Sequence, residues 1–279
     1  MLRILAFAAA LLAVPIGTPG QARAAPSACP QHFAGGDAPN LVNERLASRA
    51  RELCYGGFAV LHSGITRTPL YAAEHLTRER IAAARAIQRS GTFRADPNLP
   101  REERAELSDY ARSGFDRGHM APSADMPDPE QQNESFSLAN MIPQNPDNNR
   151  DLWSDIEAAV RTLARRQGEI YVVSGPIYQG NRIERLKGRV LVPTHVFKAV
   201  YDPATGQAGA YHVANAEGDA WTALSISELE TITGIDVFPT LPRSVKDVAM
   251  SLPDPAPQSR RPQARRGDPD RRPEVGERR

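Results

Sequence analysis

Asp116-Arg117-Gly118-His119-Met120-Ala121-Pro122 sets a carboxylate, a guanidinium, a glycine and an imidazole in four consecutive positions. Such a run is costly to bury and poor at building helix or strand. A solvated loop accounts for one stray histidine, not for the group. Chemistry uses every member. An imidazole near its free pKa takes a proton from water at neutral pH. A guanidinium fork grips phosphate oxygens. Glycine lets backbone approach closely or turn to positive φ. The run reads as the centre of a site in which His119 needs partners from elsewhere in the chain.

The partners lie downstream, in Asn140-Met141-Ile142-Pro143-Gln144 and in Asn145 to Arg150. A helix over 151–166 follows, with Leu152, Ile156, Val160 and Leu163 at helical spacing as its core face. Trp153, Glu157 and Arg161 follow Asn149 at four-residue steps and share its side. Taken alone, Glu157 and Arg161 read as a solvated i,i+4 ion pair worth a few tenths of a kcal/mol.

Ser113 to Pro122 resembles the DRGH signature of the DNA/RNA non-specific endonucleases, a ββα-metal family. The likeness runs from about Tyr55 to Leu241. It includes Thr66 to Leu76, Gly91 to Pro97, the Asn140–Gln144 block, Val172 to Pro176 and Val192 to Lys198. The resemblance implies an α+β, ββα-metal (His-Me finger) fold with a central, mainly antiparallel sheet flanked by helices. It implies metal-dependent hydrolysis of DNA and RNA with little sequence preference. His119 is then the general base. Asn149 is the one direct protein ligand to Mg²⁺, for which Mn²⁺ can substitute, and Glu157 holds metal-bound water. Arg117 and Arg161 contact phosphate, and Asp116 orders the loop. Asn140 positions either the surroundings of His119 or the substrate. Arg94 and Arg89 compete for a further phosphate contact, and Arg67 is a weaker candidate. Relatives include monomers and dimers, so a homodimer is allowed. Two other readings compete: a catalytically silent nucleic-acid-binding module, and a narrower phosphodiesterase on the same scaffold.

The remaining features bound the setting. Arg3, the apolar run Ile4 to Val14 and Ala22-Arg23-Ala24 form a signal-peptide pattern over 1–24, too short to span a bilayer comfortably. Export to the periplasm or the extracellular space follows, with no membrane span after cleavage. Cys29 and Cys54 are read as one disulfide in an oxidising compartment, with two free thiols as the alternative. An N-terminal arm is expected over 25–54, loosely ordered from Ala25 to Asn40, with a nuclease domain over 55–252 and a disordered Arg/Pro-rich tail over 253–279. The tail has eight arginines and five acids, so with Arg3 and Arg23 it exceeds the net charge of +1. The core is mildly acidic, and nucleic acid must be held by a local basic groove.

Coarser expectations complete the chain. A short helix is predicted near 43–53, strands at 55–62 and 66–76, and a Thr77-capped helix to Gln88. Further strands are predicted at 169–177, 190–201 and 208–214, and a Ser225-capped helix ending at Gly234. His62, His75, His195 and His212 are assigned to structure.

Overall fold

Residues 27–256 are described by a computed structural model of the chain; the signal-peptide pattern and the tail beyond 256 lie outside them. In chain order the elements are β1 (Asn40–Leu41), β2 (Ala50–Cys54), β3 (Ala59–Ser63), β4 (Thr68–Thr77), α1 (Arg78–Ala86) and α2 (Leu107–Tyr110). Next come β5 (Asp116–His119), α3 (Pro129–Glu134), β6 (Met141–Gln144), α4 (Pro146–Arg150), α5 (Leu152–Gln167) and β7 (Glu169–Ile177). The last are β8 (Arg185–Leu186), β9 (Val190–Leu191), β10 (His195–Asp202), β11 (Gln207–Ala214), β12 (Trp221–Leu224), α6 (Ile226–Thr233), β13 (Ile235–Asp236) and α7 (Arg243–Lys246).

Seven strands form one antiparallel sheet in the order β12-β11-β10-β7-β4-β3-β2. Both faces are buried, so the central strands read as nearly continuous apolar runs. On one face Leu76, Val172, Val196 and Val200 meet Ile81 of α1 and Ile156, Val160 and Leu163 of α5. On the other, Tyr71, Val173, Phe197 and Ala210 meet Phe33, Leu229 of α6 and Phe238. The predicted cap of α1 forms, with Thr77 accepting from the Arg80 amide at 3.1 Å. The capping box of α6 forms at Ser225 and Glu228, and Gly234 ends that helix in the left-handed region.

The N-terminal segment departs from the expectation. It is not loose: Cys29, Phe33 and Ala34 are buried under the second sheet face, and Cys29 is bonded to Cys54. Its Pro, Gly and Ala content has no period, but two apolar anchors and a crosslink order it. β1 pairs with β13 and β2 is an edge of the main sheet, so 40–54 belongs to the domain. The short helix expected at 43–53 is one 3₁₀ turn, Glu44–Ala47, and then β2. Pairing with β3 overrides local propensity there. Tyr55 to Phe58 forms the turn into β3, not strand. At the other end, Tyr211 donates from its hydroxyl to the Pro253 carbonyl at 2.7 Å, so the tail's first residues are docked.

The decisive run is also a correction. Asp116 to His119 is a strand, paired antiparallel with β6 in the register Asp116↔Gln144, Arg117↔Pro143, Gly118↔Ile142 and His119↔Met141. A two-stranded ribbon tolerates Pro143, which has no amide to offer a ladder. This ribbon and the helices α4 and α5 build the ββα unit.

Candidate active site

A cavity of about 400 Å³ opens between β5, α4 and α5. Asp116, Arg117, His119, Asn149, Arg150, Ser154 and Glu157 line it, with Arg89, Phe93 and Pro122 to Ala124. His119 ends β5 and is 8% exposed. Its ring meets Phe136 edge-on at 5.1 Å and Phe93 at 5.7 Å. Each phenylalanine also has an arginine over it: Arg89 above Phe136 at 5.5 Å, Arg117 above Phe93 at 4.4 Å. The two aromatic rings thus seat the imidazole and two cations together.

His119 Nε2 is buried and has no partner among the described residues. An orphaned buried nitrogen costs roughly 1–3 kcal/mol, so its retention calls for a ligand. Burial, then the nearby Arg89, pushes the imidazole from its ordinary 6.5 down to about 3. The ring is therefore neutral at physiological pH and has a lone pair to use. The sign follows for stability: the unfolded chain takes this proton first, so the contribution is complete above about pH 6.5 and lost as pH falls towards 3. His119→Gln is expected to lose less stability than wild type on going from about pH 6.5 to 4, by on the order of 1 kcal/mol per pH unit in denaturant melts. Parallel curves would contradict this assignment.

The carbonyls of His119 to Ala121 are fixed from three directions. Trp153 Nε1 donates to the His119 carbonyl at 3.4 Å, Lys198 Nζ to that of Met120 at 3.5 Å, and Asn140 Nδ2 to that of Ala121 at 2.8 Å. Asn140 Oδ1 also accepts from the Ala121 amide at 2.9 Å. Asn140 is fully buried with its amide spent on backbone. It holds the segment beside His119 and is not placed to touch substrate.

Asn149 sits on α4, not at the head of α5 as the four-residue spacing suggested. Asp151, at φ −107° and ψ −95°, separates the two helices. Asn149 Nδ2 donates to Asp116 Oδ2 at 3.0 Å, and Arg150 clamps the same carboxylate at 2.8 and 2.7 Å. Because a carboxylate only accepts, this bond fixes the amide's orientation and leaves Oδ1 as its free end. From α5 come Ser154 and Glu157, while Trp153 turns into the core. Burial pushes the Glu157 carboxyl up to about 7, against the pull of Lys198 and Arg161.

Other expected contacts lie elsewhere. Arg161 does not line the cavity: its NH1 is on Asp125 at 3.0 Å and 3.9 Å from Glu157. Arg94 donates to the Asn133 carbonyl at 2.6 Å and is outside the cavity, so of the two competing arginines only Arg89 reaches it. Arg67 is pinned to the carbonyls of Glu102 and Arg189. His62 bonds the Glu103 carbonyl, His75 stacks on Tyr171, and His195 stacks on His212. Arg150, Phe93, Phe136 and Lys198 went unseen in the sequence. Only Arg150, adjoining the Asn148-Asn149 pair, had a local signal.

Asn149 Oδ1 and the Glu157 carboxylate are hard oxygen donors on one cavity wall. So sparse a set fits Mg²⁺, which keeps most of its waters, better than a thiophilic or imidazole-seeking metal. Among the described residues, the one cluster of three His, Cys, Asp or Glu side chains close enough to share an ion is Cys29, Glu52 and Cys54, whose sulfurs are spent in the disulfide.

The comparisons with known proteins agree with this geometry. A family described as DNA/RNA non-specific endonuclease matches residues 38–244. The chain belongs to that family. A mitochondrial nuclease EXOG of Danio rerio is 34% identical over 215 residues, 70% of this chain and 62% of that protein. A nuclease of Nostoc sp. is 37% identical over 180 residues, 57% of this chain and 65% of its own length. The chain thus spans less than two thirds of these relatives' length. A chain from a crystal structure of the EndoG/EndoGI complex superposes with a TM-score of 0.65 at 26% identity, covering 74% of this chain and 95% of that one. The family's ββα-metal fold is therefore the fold of this chain.

Proposed function

We propose that the chain is an exported, Mg²⁺-dependent endonuclease that hydrolyses phosphodiester bonds of DNA and RNA with little sequence specificity. One observation carries the reading: a neutral, buried imidazole with an unpartnered Nε2 shares a cavity with an asparagine whose amide nitrogen is tied off. His119 accepts the proton of the attacking water. Arg117 and Arg89, each held over a phenylalanine, face the phosphate oxygens and offset their growing charge. Asp116 and Arg150 hold the Asn149 amide in one orientation. Arg161, itself bonded to Asp125, holds Glu157 from behind. Bound by Asn149 and, through water, by Glu157, a divalent cation would supply Lewis-acid relief of charge on the phosphate. The cavity lining offers three arginines suited to phosphate oxygens, beside two carboxylates, two hydroxyls and one amide, and contacts to phosphate carry no base information.

Export rests on the N-terminal sequence pattern and on the Cys29–Cys54 bond, which suits an oxidising compartment. Among the described residues no helix is long and apolar enough to cross a membrane. Relatives named as mitochondrial show that the family also works in other compartments.

The test is a panel of duplex DNA, single-stranded DNA, RNA and small phosphodiesters, with Mg²⁺, with Mn²⁺ and with chelator. Cleavage of all the polymers, abolished by chelator, is expected. Asp116→Ala, which frees the Asn149 amide, is expected to need more Mg²⁺ for half-maximal rate, by about 10–100-fold. Cleavage indifferent to chelator removes the metal role. Binding without cleavage favours a silent module, and turnover of small diesters alone favours a narrower phosphodiesterase.

A further inference from the structure

Among the described residues, four non-glycine residues take a positive φ, and all four are cations: Arg49 at 55°, Arg67 at 57°, Arg112 at 57° and Lys187 at 47°. Left-handed backbone disfavours any side chain with a Cβ, and glycine, asparagine or aspartate is its ordinary occupant. Here each such turn carries a long basic side chain instead.

The four turns are linked. Arg49 accepts at its carbonyl from the Gly64 amide at 2.9 Å, in the turn that Arg67 completes. Arg67 NH1 donates to the Arg189 carbonyl at 3.0 Å, joining that turn to the β8–β9 hairpin. Lys187, in the same hairpin, donates to the Ser108 carbonyl of α2. Arg112 follows α2, and Phe115 and Arg117 then lead into the cavity wall. Tyr110, Leu186 and Val190 lie beneath the turns in one apolar cluster, against which Phe93 and Phe115 also pack. Arc and cavity wall share a foundation.

The arc is neutralised only in part, with Glu103 beside its first turn held by Arg51 at 3.0 Å. Asp109 offsets Arg189 at 3.1 Å and Glu106 offsets Arg104 at 3.0 Å. Arg112, Arg185 and Lys187 are exposed and, among the described residues, have no carboxylate in ion-pair range. Burial, then the charge of Arg189, holds Arg67 below the ordinary arginine range, with Arg185 and Arg49 adding to it against Asp109. Like charges gathered on strained, exposed turns lower stability unless a polyanion offsets them.

We propose that this arc of basic turns binds the phosphate backbone of the nucleic acid leading into the cavity, with Arg112 and Lys187 as its outer contacts. The inference rests on the function proposed above. It gives a mildly acidic core the local cationic track that nucleic acid requires. Contacts of this kind position a strand and carry no base information.

The test variant is Arg112→Asn combined with Lys187→Asn, because asparagine accepts the left-handed turn while removing the charge. Arg243→Asn, at an exposed arginine of α7, matches the change in residue type away from the arc. Anisotropy of a labelled 30-base-pair duplex in chelator reads binding across a salt series. The double variant is expected to bind about tenfold more weakly and to flatten the log K against log salt slope by about 2. With Mg²⁺, its ratio of kcat/KM for long duplex to that for bis(p-nitrophenyl) phosphate is expected to fall about tenfold. Arg243→Asn is expected to track wild type. A double variant with wild-type affinity and slope overturns the arc. Wild type that binds duplex but cleaves nothing overturns the proposed function and leaves the arc to be judged by binding. Wild type that does neither overturns both.

Discussion

His119→Ala is expected to lower the cleavage rate by about 10²–10⁴-fold, the range contributed by a positioned general base. The loss is expected in kcat, since the ring lines a cavity whose proposed phosphate contacts, Arg89 and Arg117, remain in the variant. Folding should survive. The variant loses ring contacts with Phe93 and Phe136 but also removes an unpartnered buried nitrogen, and these act in opposite directions. Circular dichroism and a thermal melt, run beside single-turnover kinetics on duplex DNA, separate the two effects. A variant that cleaves at near-wild-type rate excludes His119 as the base. One that is unfolded leaves the kinetics to His119→Gln, which keeps much of the volume.

Gly118→Ala is expected to damage both stability and activity, although the residue touches no substrate. A Cβ built there lies 1.9 Å from Gln144 Oε1 and 2.6 Å from Gln144 Cβ. Gln144 is fully buried and donates to Asn148 Oδ1 at 2.7 Å, and Asn148 in turn donates to the Ala214 carbonyl at 3.1 Å. The added methyl must displace Gln144, which frees Asn148 and shifts α4, and with it Asn149. Overpacking and a lost buried hydrogen bond together cost about 2–5 kcal/mol. Gln144→Ala removes the Oε1 contact but keeps the Cβ at 2.6 Å, so the double variant is expected to lose less stability than the two single variants together, a coupling that a double-mutant cycle reads directly. Equal melting curves for wild type and Gly118→Ala would show that the strands do not approach this closely.

Much of this was legible in the chain because it is local. The periodicity of α5, the caps at Thr77 and Ser225 and the strand at 169–177 depend on neighbours within a few residues. The grouping of Asp116, Arg117 and His119 was visible for the same reason. What was hidden is non-local. β5 is a strand only because β6 pairs with it from 25 residues away, from Asp116 to Met141. The Cys29–Cys54 bond was expected, but the burial of Phe33 and Ala34 against a sheet made later in the chain was not. The choice of Arg89 over Arg94 depends on which one stacks above Phe136, and no spacing rule contains that. Asn149 and Glu157 reach one cavity as expected, but through a helix break at Asp151 that the four-residue steps ran across.

The most direct measurement is a crystal structure of the His119→Ala variant with Mn²⁺ and a short DNA duplex, using anomalous scattering to locate the ion. The expected result is one ion beside Asn149 Oδ1, with a backbone phosphorus between it and the space vacated by the imidazole. An ion bound elsewhere, or a phosphate outside the cavity between β5 and α5, would contradict the shared site of His119 and Asn149.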